Sequence, residues 1–540
     1  MGDPGPAPLV RPSLSRECFR RLEPAVPLTT SACACRDPCK PHDAGRPLAY
    51  LGQQTSTDQI ETHHVRSGYL KQLQWVGFAG AVLLTAAALA GKFLTLPDGT
   101  AAAVLAAGVA GVGLVVLAWA FAGRVLLKEP DARWPRRTLM LWGAPLLAAP
   151  PLFSSDVYSY LAQGEIAARG LDVYSVGPRA GLGAASAITR RVSEYWQDAP
   201  SPYGPVFSAV ERWIASVAGE NAVVGVLGYR LAAVAGLAMA VWAVPRLARI
   251  AGVHEGVALW LGVLNPLVLW HFIGGAHNDA LMVGLMLAGT ACALTAIGER
   301  VDAVRLGAGV LLICLGALVK FPAIVALAVV GVVLVRRRGA SYPRLAGMGA
   351  AAVGLSVVVA VVVSGLGNLG FGWLRTMTTS GTVNSWMAPT NWFGFATGWL
   401  GPGTQTMIGI GKIIGYLLIA VLTVVLVQRQ LKGQIGPVTA FGALLAAVVV
   451  FGPVIQPWYL LWALLPLACA VDVHKGRVAL AGLSVVFAVV IPPLAGNFSG
   501  KVMQLIIGYV GGLAVVAIIA LIIRKTELAS REWTTSPGAR

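Results

Sequence analysis

The segment Ser154-Ser155-Asp156-Val157-Tyr158-Ser159-Tyr160, two residues after Pro150-Pro151, holds the residue types best suited to chemistry in this chain. The two prolines end one apolar run, and the serine pair can cap a new helix. That puts Asp156 in a first turn, where the helix dipole favours its ionised form. On helical spacing Tyr160 and Gln163 share its face, and Glu165 pairs with Arg169 four residues on. Two readings of Asp156 stay open: a helix-capping acid at a membrane interface, or a general base reaching a hydroxyl at the membrane surface.

Other groups point the same way. Gly274-Gly275-Ala276-His277-Asn278-Asp279 joins two apolar runs and gathers a histidine, an amide and a second carboxylate in one short corner. Asn278 can equally cap the helix that follows. Lys320 ends an apolar run at the Lys320-Phe321-Pro322 break. It can snorkel to headgroups, or it can bind the phosphate of a lipid carrier. Arg375 and Lys501 are weaker candidates for that role. Arg230 sits inside an apolar run at a cost of about 2.5–3.5 kcal/mol and needs a partner.

Aromatic residues crowd the polar segments. Tyr158, Tyr160, Tyr174, Tyr195, Trp196 and Tyr203 lie in one; Trp386, Trp392, Phe393, Phe395 and Trp399, with Asn391 among them, lie in another. The corner Gln456-Pro457-Trp458-Tyr459 adds more. Such rings form interfacial belts in membrane proteins. They also offer faces on which sugars stack, and both readings stand.

The elements that must position these groups are membrane helices. The 540 residues are 56% hydrophobic and 12% charged, with mean hydropathy +0.71. Soluble domains carry about 25% charged residues. Repeated, continuously apolar runs of about 20 residues predict an all-α polytopic integral membrane protein rather than a β-barrel. The expected spans are 75–96, 101–123, 138–153, 222–246, 256–273, 278–297, 304–320, 322–336, 345–366, 406–427, 436–453, 457–471, 478–495 and 502–523. That is about 14 helices. Between them lie two long polar loops, 154–221 and 367–405, and a short corner at 496–501. Residues 205–218 are read as an amphipathic surface or re-entrant helix, with Glu211 and Arg212 facing water.

The net charge of +17 sits mostly in short loops and the two tails, so it is read as positive-inside topology and not as a nucleic-acid surface. Every basic cluster in a short loop falls on one side. Both termini are then cytoplasmic, and both long loops face outward from a plasma membrane. Residues 1–73 are expected to be a disordered cytoplasmic tail without a cleavable signal, 74–525 the membrane domain, and 526–540 a second tail. The seven cysteines form no disulfide framework, and Cys33, Cys35 and Cys39 match no standard zinc spacing. No Walker loop, Rossmann fingerprint, H-E-x-x-H or D-x-D pair is present, so no cofactor or metal is expected. No internal repeat supports an inverted-repeat transporter.

"SSDVYSYLAQGEIAARGLDVYS", "SPYGPVF" (201–207), "GGAHNDALM" (274–282) and "QPWYLLW" (456–462) carry a resemblance. The chain resembles GT-C glycosyltransferases over about residues 75–525, and more narrowly the actinobacterial polyprenol-phosphomannose-dependent α-(1→6)-mannosyltransferases of the MptB kind. The resemblance implies a polyprenyl-phosphate-mannose donor, a mannosylated glycolipid acceptor, and a role in the lipomannan and lipoarabinomannan core. It also implies that Asp156 matches the catalytic carboxylate placed in the first large loop of these enzymes. Tyr158, Tyr160, Gln163, Glu165, Tyr203, His277, Asn278, Asp279, Lys320, Trp386, Asn391, Gln456, Trp458 and Tyr459 are the candidate substrate contacts. One departure is that three helices, and not one, precede that loop. Arabinosyl or glucosyl transfer by the same architecture, or flipping of a lipid-linked sugar, are the competing expectations.

Overall fold

The computed structural model describes residues 49–401, 403–494, 498 and 500–535. The chain divides into two units, Met1–Thr62 and His63–Arg540, and all that follows concerns the second. Cys33, Cys35 and Cys39, and positions 496, 497 and 499 of the expected corner at 496–501, lie outside the described residues. Among the described residues the chain is helical, with only two isolated β-bridges.

Three helices precede the first polar segment: α1 (Ala49–Phe93), α2 (Asp98–Leu126) and α3 (Arg133–Leu147). Helix α1 starts inside the stretch read as a tail. Asp156–Ala168 forms α4. Later helices are named by their ranges.

Seven described helices are long and apolar enough to cross a membrane, or eight if one bent pair counts as a span. The shorter apolar helices Ala303–Ala317, Pro437–Phe451 and Pro457–Ala470 fall below that length. About fourteen full spans were expected; length and composition support seven or eight, because several apolar runs are interrupted. The expected 256–273 span shows why. It is two segments, Glu255–Val263 and Val268–Gly274, bent by 62°. Pro266 cannot continue the hydrogen-bond ladder. The Asn265 side chain repairs the break: its Oδ1 accepts from Leu267 N at 3.0 Å, and its Nδ2 donates to Leu261 O and Ser484 Oγ.

Small residues set the helix contacts that matter for the site. At Gly236 and Gly284 the Ala222–Ala251 and Asp279–Ala296 helices touch backbone to backbone. A Cβ on either would lie 2.2 Å from a carbonyl oxygen of the other helix. Such close approach is how membrane helices associate without a hydrophobic driving force. It fixes Arg230 on one helix relative to Asp279 on the other.

Arg230 has its expected partner, though not an acid. Its guanidinium donates to four backbone carbonyls: Leu147 at 2.8 Å, Ala149 at 2.5 Å, Ile273 at 3.3 Å and Gly274 at 3.1 Å. The fork thus staples the end of α3 to the 274–279 corner. Unpaired carbonyls at a helix end are costly when buried, and one cation satisfies four at once.

The expectation that Glu211 faces water is corrected. In the Pro205–Ala218 helix Glu211 is buried, while Trp213 and Val217 are exposed. The cause is packing against α4, where a Cβ at Gly164 would lie 2.4 Å from Glu211 O. That contact turns the Glu211 side inward, and burial pushes its carboxyl well above the usual range.

Candidate active site

Two corners meet at the start of α4, and both carry backbone strain. Leu152 N donates to Gly274 O at 3.3 Å, and Phe153 N donates to Pro493 O at 3.1 Å. Phe153 has φ 61° and Ala276 φ 53°. Left-handed backbone costs a non-glycine residue on the order of 1 kcal/mol or more, and it persists where a site demands it. One such residue lies three positions before Asp156, the other one before His277. The expected serine cap is offset: Ser155 makes no side-chain cap bond, and Ser154 Oγ accepts the Asp156 N–H at 3.1 Å.

Asp156 opens onto a cavity of about 300 Å³. Ser159, Tyr160 and Gln163 line it from the same helical face. Tyr203 and Gly204 enter from the non-helical stretch 201–204. Gly204 allows this, since a Cβ there would lie 2.1 Å from Leu318 O, just before Lys320. Lys320, Gln456, Trp458, Tyr459 and Trp462 close the opposite wall.

The Asp156 carboxyl is pushed up to about 6. Burial is the largest cause; Lys320 and the Ser154 hydroxyl pull it down, and the Asp279 charge pushes it up. Its side chain keeps 24% exposure, toward the cavity. His277 Nδ1 lies 3.7 Å from Asp156 Oδ2, too long for a hydrogen bond. Burial holds His277 neutral by driving its pKa well below the usual value, so the pair is not a salt bridge. The His277 ring stacks on Trp458 at 3.9 Å and 25°, and His271 packs against both.

Lys320 does not stand free. Its ammonium donates to both Asp279 oxygens, at 3.0 and 3.1 Å, and Trp462 Nε1 donates to Asp279 Oδ1 at 2.7 Å. The ammonium also lies over the Tyr459 ring at 4.4 Å and near Trp462 at 5.3 Å. Two stacked rings, 4.2 Å apart, therefore flank a buried ion pair. Two carboxylates and one ammonium share the site, which suits developing positive charge and hydroxyl deprotonation better than it suits an incoming anion.

Ser159 Oγ and Gln163 Oε1 are buried at the cavity wall without a hydrogen-bond partner. Both Asn278 side-chain atoms are also unpartnered, and Asn278 makes no cap bond. Such groups are costly unless something satisfies them, and a polyol does so readily. Tyr160 is held by an edge-to-face cluster with Tyr203, Phe207 and Tyr229, and Tyr229 Oη donates to Tyr160 O at 2.9 Å.

The remaining candidates fall elsewhere. Asn278 and Asp279 are buried behind the cavity wall. Tyr158 lines a second cavity beside α4. Glu165 pairs with Arg169 at 2.9 Å, away from both cavities. Trp386 is 61% exposed. Asn391 does not line the cavity; its Nδ2 donates to Ser385 O and Pro453 O, bracing the second loop against the 452–456 turn. Arg375 donates to Tyr174 O. Ser159, His271 and Trp462 were not among the sequence candidates. Ser159 and Trp462 had a signal, at i+3 from Asp156 and i+4 from Trp458; His271 had none.

Asp156 is thus a carboxyl with a raised pKa that opens on a cavity with polar and aromatic walls, in a chain with seven or eight membrane-length apolar helices among the described residues. The chain belongs to the alpha-(1→6)-mannopyranosyltransferase family. Residues 74–336 match the family described as "Alpha-(1->6)-mannopyranosyltransferase, N-terminal domain", and residues 387–522 match "MptB C-terminal domain". A probable alpha-(1→6)-mannopyranosyltransferase of Mycolicibacterium smegmatis is 36% identical over 83% of this chain and 84% of its own length. An alpha-(1→6)-mannopyranosyltransferase of Mycobacterium tuberculosis is 35% identical over 82% and 83%. A second from that organism, alpha-(1→6)-mannopyranosyltransferase A, is 37% identical over 77% and 84%. No solved structure matches.

Proposed function

We propose that this chain transfers mannose from polyprenyl-phosphate mannose to a mannosylated glycolipid, forming α-(1→6) linkages in lipomannan and lipoarabinomannan cores. Its architecture is that of a GT-C enzyme in the plasma membrane, with the cavity on the outer face and both termini in the cytoplasm. The observation that carries the reading is Asp156: a carboxyl at about 6, opening on a cavity walled by hydroxyl, amide and aromatic groups.

Asp156 takes the proton of the acceptor 6-hydroxyl as that oxygen attacks the anomeric carbon. The bond from that carbon to the phosphate oxygen breaks, and the electron pair leaves with the polyprenyl phosphate. One displacement on a β-linked donor gives the α product. Phosphate is already a good leaving group, so a second carboxyl acid is not needed, unlike in inverting glycosidases. A base near 6 is mostly ionised at neutral pH, yet stronger than an ordinary carboxylate.

Ser159 and Gln163 satisfy sugar hydroxyls, and Tyr203, Trp458 and Tyr459 hold ring faces. His277, wedged between Trp458 and Asp156, orients the base. Lys320, tied to Asp279, tempers the field at Asp156.

The test is product formation by detergent-solubilised protein, given radiolabelled polyprenyl-phosphate mannose and an α-(1→6)-mannoside lipid. A new α-(1→6)-linked mannose is expected. No product in detergent, with sugar translocation in sealed vesicles, would make the protein a flippase. Transfer only from arabinosyl or glucosyl donors would keep the mechanism and replace the sugar.

A further inference from the structure

Beside the first turn of α4 lies a second cavity of about 300 Å³ that shares no lining residue with the first. Ser155 and Tyr158 form part of its wall, so it begins within one helical turn of Asp156. The end of α1, the start of α2 and the residues around Lys501 supply the rest.

Its charge is the opposite of the first cavity's. Lys92 and Lys501 line it. Lys92 Nζ lies 5.6 Å from the centre of the Tyr158 ring, and Arg191 Cζ lies 5.9 Å from the same centre. Two cations from separate elements thus face the Tyr158 ring, and Lys501 shares the cavity wall with Lys92 and Tyr158. Among the described residues no carboxylate lines this cavity, and none of the three cations has an ion-pair partner. Bringing like charges together without a counter-charge is unfavourable unless an anion joins them. On the orientation proposed above all three stand on the outer side, and Lys92 and Lys501 lie at short connections, where outer positive residues are disfavoured.

Leu94, Leu96, Val104 and Leu494 give the wall an apolar side, while Ser155 and Gln504 add polar groups; Leu94 is exposed, as are Phe93 next to it in sequence and Met503 two residues after Lys501. A cationic cup with an apolar, outward-open rim fits an anionic headgroup that carries a hydrocarbon chain. The first cavity is a poor place for that anion, because Asp279 already holds Lys320 and Asp156 adds a further negative charge.

We infer that this second cavity binds the phosphate group of a lipid, with Lys92 and Lys501 as its counter-charges and Arg191 adding positive charge from beside Tyr158. Two sources share that chemistry: the phosphate of a polyprenyl carrier and that of a bulk anionic phospholipid. Only the carrier arm rests on the mannosyl-transfer reading. In that arm the phosphate sits beside α4, one turn from the base, and leaves into a positive field while Asp156 acts in a negative one.

The experiment is a binding titration on the full chain in neutral detergent, with undecaprenyl phosphate, undecaprenol and phosphatidylglycerol as probes. Undecaprenyl phosphate is expected to bind at least about tenfold more tightly than undecaprenol. The double variant Lys92→Gln/Lys501→Gln should abolish that difference while eluting as a monodisperse folded species. Lys92→Arg/Lys501→Arg should retain it. Displacement by equimolar phosphatidylglycerol assigns the cavity to anionic lipid in general; resistance to it assigns the cavity to the carrier. Equal binding of phosphate and alcohol by the wild type, or undiminished discrimination by the double glutamine variant, would overturn the inference. Binding needs no turnover, so a failure of mannosyl transfer leaves this result standing and is told apart from it.

Discussion

Lys320 Nζ lies 3.0 and 3.1 Å from the two carboxylate oxygens of Asp279, at the wall of the cavity onto which Asp156 opens. The pair divides the labour of the site. Asp279 is fully buried and pairs with the cation, whose charge also lowers the Asp156 pKa against the push of burial. The base therefore settles near 6 rather than becoming a neutral acid.

Breaking that pair one partner at a time should be far worse than removing both. Lys320→Ala strands a buried carboxylate, at a cost on the order of 3–5 kcal/mol. The double variant Lys320→Met/Asp279→Asn should recover much of the loss. Thermal unfolding of the purified protein in one detergent checks this; a double variant no more stable than Lys320→Ala would show that the pair is not coupled.

The pH profile should carry the signature of Asp156. As a base it must be ionised, so kcat/KM should fall about tenfold per pH unit below about 6 and level off above. Lys320 lowers this pKa, so Lys320→Met should move the acidic limb to higher pH; Asp279 raises it, so Asp279→Asn should move the limb down. Neighbouring His277 is held neutral and should add no second limb. Initial rates from pH 5 to 8, roughly spanning the limb, decide it.

In the proposed mechanism His277 positions Asp156. It touches Asp156 at 3.7 Å and stacks on Trp458, so His277→Ala frees the base to move. A misplacement of about 1 Å costs on the order of 10²-fold in rate. The loss should fall on kcat, with donor KM nearly unchanged, and His277→Gln should recover part of it. A rise in KM alone would assign His277 to substrate binding instead.

Arg230 should matter for assembly more than for chemistry. Its planar fork serves four carbonyls, which a lysine cannot do. Arg230→Lys should lower the melting temperature, by more than about 2 kcal/mol in stability. An unchanged melting temperature with lost activity would place Arg230 in the site.

Much of the site was legible from local spacing. Asp156, Tyr160 and Gln163 fall on one helical face because the prolines and serines before them fix where α4 starts. The pairing of Lys320 with Asp279 was not legible, since the two are 41 residues apart and meet only through the packing of separate helices. Glu211 was misread because an amphipathic pattern gives a periodicity and not a direction; Gly164 supplies the direction. The span at 256–273 read as one helix because hydropathy ignores Pro266, whose break Asn265 repairs. Arg230 announced its need for a partner, but backbone carbonyls have no letter in a sequence.

The most direct measurement is single-turnover mannosyl transfer by Asp156→Asn, with donor binding followed in the same preparation. The carboxamide keeps the shape and cannot take the proton, so turnover should fall by at least about 10²-fold while donor affinity stays within error of wild type. Transfer at the wild-type rate by a folded Asp156→Asn protein would contradict the role of this carboxylate, and the proposed mechanism with it.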